Sequence, residues 1–381
     1  MSAARLARFQ TTLAGLWARG RGRSLEGRAG HDFASNDYIG LAGSPRLAAA
    51  VRDGVERGLP AGAAGSRLLR GNHPEHEALE AEAAAFFGAD ACLFFASGFD
   101  ANLALFSTLP RREDLVVHDA LIHASVHAGL AAGKATVAAA SHNDAGAVDD
   151  AIRAWRARGG RGTAWIAVES LYSMDGDAAP ISDLIAIAEH HDGFLVVDEA
   201  HATGVVGRDG RGLSAPFEGR ECLIGLHTCG KGLGVSGALL TAHRSLISFL
   251  INRARPFIYA TAPSPLTAAA VREALRICAD EPERRARLAD LVRIAEGALA
   301  QRLGVPASGS QIIPVLIGDN ARAVEVSARV RAAGFDCRAI RPPTVPEGTA
   351  RLRVSLTLNV DAATVSALVD AIAAALADVP T

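Results

Sequence analysis

The feature that most constrains this chain is a series of short, wholly apolar runs that each stop at polar residues. They are ACLFF at 91–95, then those within DLVVHD, TAWIAVES and GFLVVDEA. A strand with no polar face must be covered on both faces, which is the condition of a mostly parallel sheet between two layers of helix. Helix signals fall between the runs. EHEALEAEAAAFFG is built of strong helix formers and stops at Gly88, and SDLIAIAEHHDG has Ser182 as a candidate cap and Gly193 past its end. The fold class is therefore α/β, a large domain with a mostly parallel sheet covered by helices. In such sheets the working residues gather beyond the carboxyl ends of the strands.

After about residue 253 the pattern changes. SPLTAAAVREALRICADEPERRARLADLVRIAEGALAQRLG reads as one long helix or two in succession. QIIPVLIGD, CRAIRPP and RLRVSLTL follow as strands of a smaller αβ unit, closed by an Ala-rich helix over 361–377. We read residues 1–44 as an N-terminal arm, 45–252 as the large domain and 253–381 as the small C-terminal domain. With 49% hydrophobic and 21% charged residues the chain has the composition of a globular enzyme. A net charge of −2 gives no basic excess for nucleic acid or an anionic membrane. The five scattered cysteines form no CxxC pair, the first ten residues lack a signal-peptide core, and no apolar run reaches membrane-spanning length. The expected setting is the cytoplasm.

VVDEAHATG, at 196–204, spells the Asp-Glu-Ala-His box of a helicase class. GLHTCGKG at 225–232 even supplies Gly225, Gly230 and Lys231 at phosphate-loop spacing. Yet Gly232 stands where the magnesium-binding hydroxyl is needed, and the lysine follows the acidic box instead of preceding it. A metal hydrolase is the next candidate, with His190, His191, Asp198 and His201 as possible ligands, but no paired-histidine helix signature accompanies them. No metal is expected.

Lysine-dependent cofactor chemistry accounts for more residues together. Pyridoxal phosphate needs an amine to hold its aldehyde, a carboxylate against its pyridine nitrogen and a cradle of N–H groups and hydroxyls for its phosphate. Lys231 lies among glycines in HTCGKGLGVSG, and Asp198 ends an apolar run with His201 three residues on. FFASGFDANLALF offers a strand, then Ser97-Gly98, then a helix whose N-terminus suits an anion, and Thr228 adds a hydroxyl. Taken singly, Ser97 is a helix cap, Lys231 a loop residue and Asp198 a solvated strand end; their combination carries the argument.

From about residue 33 to 360 the chain resembles the α-oxoamine synthases, fold-type-I pyridoxal-phosphate enzymes. The resemblance runs through FASNDYIGLAGSP, GSRLLRGNHPEHEALE, ASGFDAN, HDALIHASVHAG, ESLYSMDGDAAP, VVDEAHATGVVGRDGRG, CGKGLGVSGA, FIYATAP and RPPTVPEGTARLRVSLT. It implies decarboxylative condensation of an amino acid with an acyl thioester. AIRPPTVPEGTARLR and SMDGDAAP are most similar to the branch that joins L-alanine to a pimeloyl thioester, carried on coenzyme A or an acyl carrier protein, in biotin synthesis. Glycine- and serine-using members are the alternative.

The resemblance further implies that Lys231 carries the cofactor, Asp198 meets the ring nitrogen, and His201 and Ser173 the phenolic oxygen. His123 would stack on the ring, Gly98, Phe99 and Thr228 would hold the phosphate, and Thr261 would reach the phosphate of a second subunit, which implies a homodimer. Arg353 and Asn36 are the implied partners of the amino-acid carboxylate, with Arg351 the rival. Thr344 would lie near the acyl substrate, and Arg19, ahead of Arg21, would meet its distal carboxylate from a shortened arm. The chain departs from the family pattern at Ala202, Cys229 and Leu233.

Overall fold

A computed structural model describes residues 3–379, with side chains from residue 5. Its strands, in chain order, are β1 (His31–Asp32), β2 (Ala91–Phe95), β3 (Leu115–Asp119), β4 (Thr136–Ala140), β5 (Ala164–Glu169) and β6 (Phe194–Asp198). They continue with β7 (Leu223–Thr228), β8 (Ala238–Ala242), β9 (Ile312–Gly318), β10 (Phe335–Asp336), β11 (Ala339–Ile340) and β12 (Ala350–Ser355). The chain divides into two compact units. One comprises Ile39–Ser173 and Asp177–Arg285; the other comprises the chain up to Tyr38, Met174–Gly176 and the chain from Ala286 onward.

The first of these units holds a seven-stranded sheet in the order β2-β8-β7-β6-β5-β3-β4. Strands β3 to β7 run parallel, and β8 is antiparallel to both β2 and β7. Alternate side chains of the apolar runs enter separate cores. Leu93, Phe95, Val116, Trp165, Val196 and Leu226 face one layer with helix residues such as Leu105 and Val126. Leu115, Val117, Ile166, Val168, Leu195 and Val197 face the other with Ile152 and Leu184. This two-sided burial is why the runs are apolar throughout. It leaves polar side chains to the strand ends: Asp119, Glu169 and Asp198 each close a parallel strand, and Glu169 is in register with Asp198.

The second unit has the antiparallel sheet β11-β12-β9 and the parallel pair β1-β10. Buried Ile313, Val315, Leu352 and Val354 from the sheet, with Val326, Val330, Leu368 and Ile372 from helices Asn320–Ala332 and Ala362–Asp378, form its interior. The first helix is capped by Asp319, whose side chain accepts from Arg322 N–H, and the second by Asp361, which accepts from Thr364 N–H.

One local expectation is corrected, and others are settled. Ser182 is inside its helix, which spans Ile181–His190 and begins after Pro180. The long segment after Ser264 is two helices, Pro265–Asp280 and Pro282–Leu303, because Pro282 removes a donor and starts the second. GLHTCGKG is no phosphate loop, as expected: its first half lies in strand β7, so Gly225 is within the sheet. The N-terminal arm contains a helix, Ala3–Ala18. Among the described residues no helix is long and apolar enough to cross a membrane.

Candidate active site

Lys231 follows β7 in a tight turn. Gly234 N–H donates to Lys231 O at 2.9 Å, and Val235 N–H donates to Cys229 O at 2.8 Å. The glycines are required here. Gly234 has φ +67°, and a Cβ on it would lie 2.5 Å from Ala42 N; a Cβ on Gly232 would strike Thr203 O. Cys229 and Leu233, where the resemblance departs, are fully buried. The Lys231 Nζ is 2.9 Å from His201 Nε2.

His201 is held by the turn that leaves β6, and Asp198 is the last residue of that strand. Asp198 is 5% exposed. Its Oδ2 accepts from Asn102 Nδ2 at 2.9 Å and its Oδ1 from Ala200 N–H at 3.0 Å. Asn102 Nδ2 also donates to Ser125 Oγ at 2.9 Å, and Ser125 Oγ lies 2.7 Å from His123 Nδ1. A polar chain thus runs from His123 through Ser125 and Asn102 to the Asp198 carboxylate, tying both to fixed positions. His123 is exposed overall, yet the protein around its imidazole pushes its pKa down, with the Asp198 charge opposing and the Lys231 charge adding to the shift.

The Glu199 of the Asp-Glu-Ala-His stretch has a separate task. It is fully buried and accepts from Ser170 Oγ, from Leu213 N–H at 3.2 Å and from Ser214 N–H at 2.7 Å, which pins the loop after His201. His191, a candidate ligand in a metal reading, is instead 2.6 Å from Asp149.

The helix Gly98–Thr108 begins where β2 ends, with Ser97 Oγ accepting from Asp100 N–H at 3.1 Å. Its first N–H groups, on Gly98 and Phe99, therefore stand at a positive helix end. Thr228, at the end of β7, donates from Oγ1 to Ala200 O at 3.3 Å. A Cβ on Gly98 would lie 2.5 Å from Thr228 Cγ2, so these two positions close on each other and only glycine leaves the N–H groups clear. Ser173 is buried after β5, and its N–H donates to Glu169 Oε2 at 3.1 Å. Thr261 is exposed just beyond the short helix Arg255–Ile258. An amine against an imidazole, a buried carboxylate fixed by neutral donors and a helix end kept bare by glycine fit the donor set that pyridoxal phosphate requires.

In the other unit, Arg353 lies on β12 and is 7% exposed. Its guanidinium donates to Asn36 Oδ1 from both terminal nitrogens at 3.1 Å, to Ser355 Oγ at 2.5 Å and to Tyr38 OH at 3.2 Å. Arg351, two residues earlier, is tied to the Asp175 carboxylate at 2.5 Å and to Met174 O at 3.3 Å. Thr344 is exposed and accepts from Arg23, at 3.3 Å, a residue the sequence did not single out. Arg21 pairs with Glu347, while Arg19 is exposed just after the first helix.

Asn102, Ser125 and Glu169 were missed from sequence. Asn102 lies one helical turn after Gly98 and shares its face, a spacing that could have flagged it. Glu169 ends an apolar strand as Asp198 does, and the same rule applied to TAWIAVE would have found it.

The aminotransferase class I and II family matches residues 30–372. An 8-amino-7-oxononanoate synthase of Anaeromyxobacter dehalogenans is 41% identical over 97% of this chain and 95% of its own. One of Methylobacterium radiotolerans is 44% identical over 93% and 90%. A solved serine palmitoyltransferase with pyridoxal phosphate superposes with a TM-score of 0.88 at 25% identity, covering 100% of this chain and 99% of the other. The chain belongs to the aminotransferase class I and II family and, within it, to the α-oxoamine synthases, matching their 8-amino-7-oxononanoate synthase branch over nearly its whole length.

Proposed function

We propose that this chain is a pyridoxal-phosphate-dependent acyltransferase that joins L-alanine to a pimeloyl thioester, forming 8-amino-7-oxononanoate with release of the thiol and carbon dioxide, a step of biotin synthesis. The observation that carries it is Lys231 Nζ at 2.9 Å from His201 Nε2, on the turn leaving the strand next to the one that Asp198 ends. Identities of 41–44% to named synthases support the choice of substrates.

When bound, pyridoxal phosphate supplies an electron sink for charge that develops at the substrate's α-carbon. Lys231 would hold its aldehyde and, once the amine of alanine has displaced it there, its freed amine would take the α-proton and return one after carbon dioxide leaves. Asp198 keeps the ring nitrogen protonated, and the Asn102 and Ala200 donors hold that carboxylate in place. His201 and Ser173 serve the phenolic oxygen. His123 covers the ring face and, with His201, offers a hydrogen bond to the oxyanion that forms when the thioester carbonyl is attacked. The phosphate falls to Gly98 and Phe99 N–H and Thr228, joined by Thr261 across a homodimer. Arg353 with Asn36 takes the alanine carboxylate, while Arg19 and Thr344 serve the acyl chain. The acyl chain would arrive on coenzyme A or an acyl carrier protein. The proposed setting is the cytoplasm.

The experiment is a visible spectrum of the purified protein, followed by addition of L-alanine, glycine or L-serine and then of pimeloyl thioesters. A yellow band that borohydride abolishes, with the reduced adduct on Lys231 and turnover with alanine and pimeloyl thioester, is the expected outcome. Turnover only with glycine or serine would move the chain to another branch of the family. A protein that gains no band with pyridoxal phosphate would overturn the reading.

A further inference from the structure

Glu169 is a carboxylate at a strand end beside Asp198 to which no role has been given. It is 2% exposed at the end of β5, in register with Asp198 on β6. Its Oε2 accepts the Ser173 N–H at 3.1 Å, whereas its Oε1 is buried with no hydrogen-bond partner among the described residues. An ionised carboxylate is poorly suited to that position. One oxygen would be desolvated without a donor, and a second buried anion would sit across the strand pair from Asp198. A protonated carboxyl lowers both costs, because it keeps Oε2 as the acceptor and leaves no charge on the unpartnered Oε1.

We propose that Glu169 is a positioning residue that enters the site as a neutral carboxylic acid, fixing the Ser173 segment and leaving Asp198 as the lone anion of the strand pair. The assignment rests on the pyridoxal-phosphate reading, since its purpose is to keep Asp198 free to pair with the ring nitrogen. The ionisable groups facing Glu169 are Asp198 from the neighbouring strand, Lys231 from the glycine turn and Tyr172 from its own segment. Burial first, and then the Asp198 charge, push the Glu169 pKa up to about 8, with Lys231 and Ser173 opposing. Two carboxylates at adjacent strand ends thus divide the labour: one is charged, and the other is neutral at the pH where the first works.

The test compares wild type, Glu169→Gln and Glu169→Ala in two measurements. In the cofactor-free protein, a carboxyl raised from 4.5 to about 8 stabilises the fold fully below 4.5 and loses that contribution as pH rises through 8. The wild-type melting midpoint should therefore fall relative to that of Glu169→Gln over this window and run parallel to it above. In the second measurement, pyridoxal phosphate uptake is followed by visible absorbance. Glu169→Gln keeps the Ser173 acceptor without a charge, so at neutral pH it should recover uptake that Glu169→Ala loses by about tenfold or more. Wild-type uptake should weaken on passing pH 8, and that of Glu169→Gln should not. Parallel melting curves throughout, or a Gln variant no better than the Ala variant, would overturn the proposal. Wild-type protein that takes up no pyridoxal phosphate would overturn the parent reading instead, and the cofactor-free melting curves would still decide whether Glu169 holds its proton.

Discussion

The contact between Gly98 and Thr228 gives the most direct check on the phosphate cradle, through Gly98→Ala. Backbone conformation does not forbid alanine, because Gly98 is not among the positive-φ glycines and opens a helix. Helix propensity alone would favour alanine, by up to about 1 kcal/mol. Sterics oppose it more strongly: the new methyl falls 2.5 Å from Thr228 Cγ2, about 0.9 Å inside ordinary contact. Thr228 cannot swing away freely, since its branched Cβ is stiff. Overpacking of this kind costs about 1–3 kcal/mol, so the net expectation is a loss of about 1 kcal/mol in stability. The effect on cofactor should be larger. Both displaced groups are proposed phosphate donors, and one hydrogen bond to a charged acceptor is worth about 1.5–3 kcal/mol. Pyridoxal phosphate affinity should therefore drop about tenfold to a hundredfold, read by equilibrium titration of the visible band. Thr228→Ser removes the offending methyl and keeps the hydroxyl, so the double variant Gly98→Ala/Thr228→Ser should recover to within about threefold of wild type. A double variant as weak as Gly98→Ala, or a single variant that binds normally, would refute the cradle.

Four further outcomes are expected. Lys231→Ala should abolish turnover and leave no borohydride-trapped adduct, and near-normal turnover would remove Lys231 from its role. Arg353→Ala should raise the alanine KM by about a hundredfold, since a guanidinium fork on a carboxylate is a strong, charge-assisted contact. Arg351→Ala should instead lower stability, by about 2 kcal/mol once the partial exposure of Asp175 is allowed for, and a raised KM confined to that variant would reverse the assignment. The fourth expectation concerns His142, whose imidazole lies 2.9 Å from Asp119 and 2.8 Å from Asp177. Burial disfavours its charge, but the two carboxylates outweigh burial and raise its pKa. Its contribution is thus full below the ordinary value of 6.5 and fades as pH rises through the raised one. The stability gap between wild type and His142→Gln should shrink with rising pH, and a gap that widens would contradict the clamp.

What could be read from the sequence followed the physics of burial. The run ACLFF became β2 with the same ends, and β3, β5 and β6 lie within DLVVHD, TAWIAVES and GFLVVDEA, because a strand covered on both faces has no polar residue to blur its pattern. Strands β7 and β8 escaped notice for a different reason. In ECLIGLHTCGKG the glycines and the lysine imitate a phosphate loop, and only tertiary pairing shows that Gly225 lies opposite Thr241 in a ladder. Pairings of distant segments were equally out of reach: His31 meets Phe335 through backbone bonds that no local periodicity announces.

The site divides along the same line. The proposed roles of Asp198, His201 and Lys231 are visible because each sits at a recognisable place in the chain: a strand end, a turn after it, a glycine-lined bend. Their supports are not visible, because the hydrogen bonds from Asn102 to Asp198 and Ser125 join residues 96 and 23 positions apart. Glu169 falls between the two cases. Its strand end could be read from sequence, but the proton proposed for it depends on burial first and then on Asp198 across the ladder, and both exist only once the chain is folded. A rule that finds polar residues at apolar strand ends therefore locates the proposed site, and burial together with strand register underlies the proposed division of charge among them.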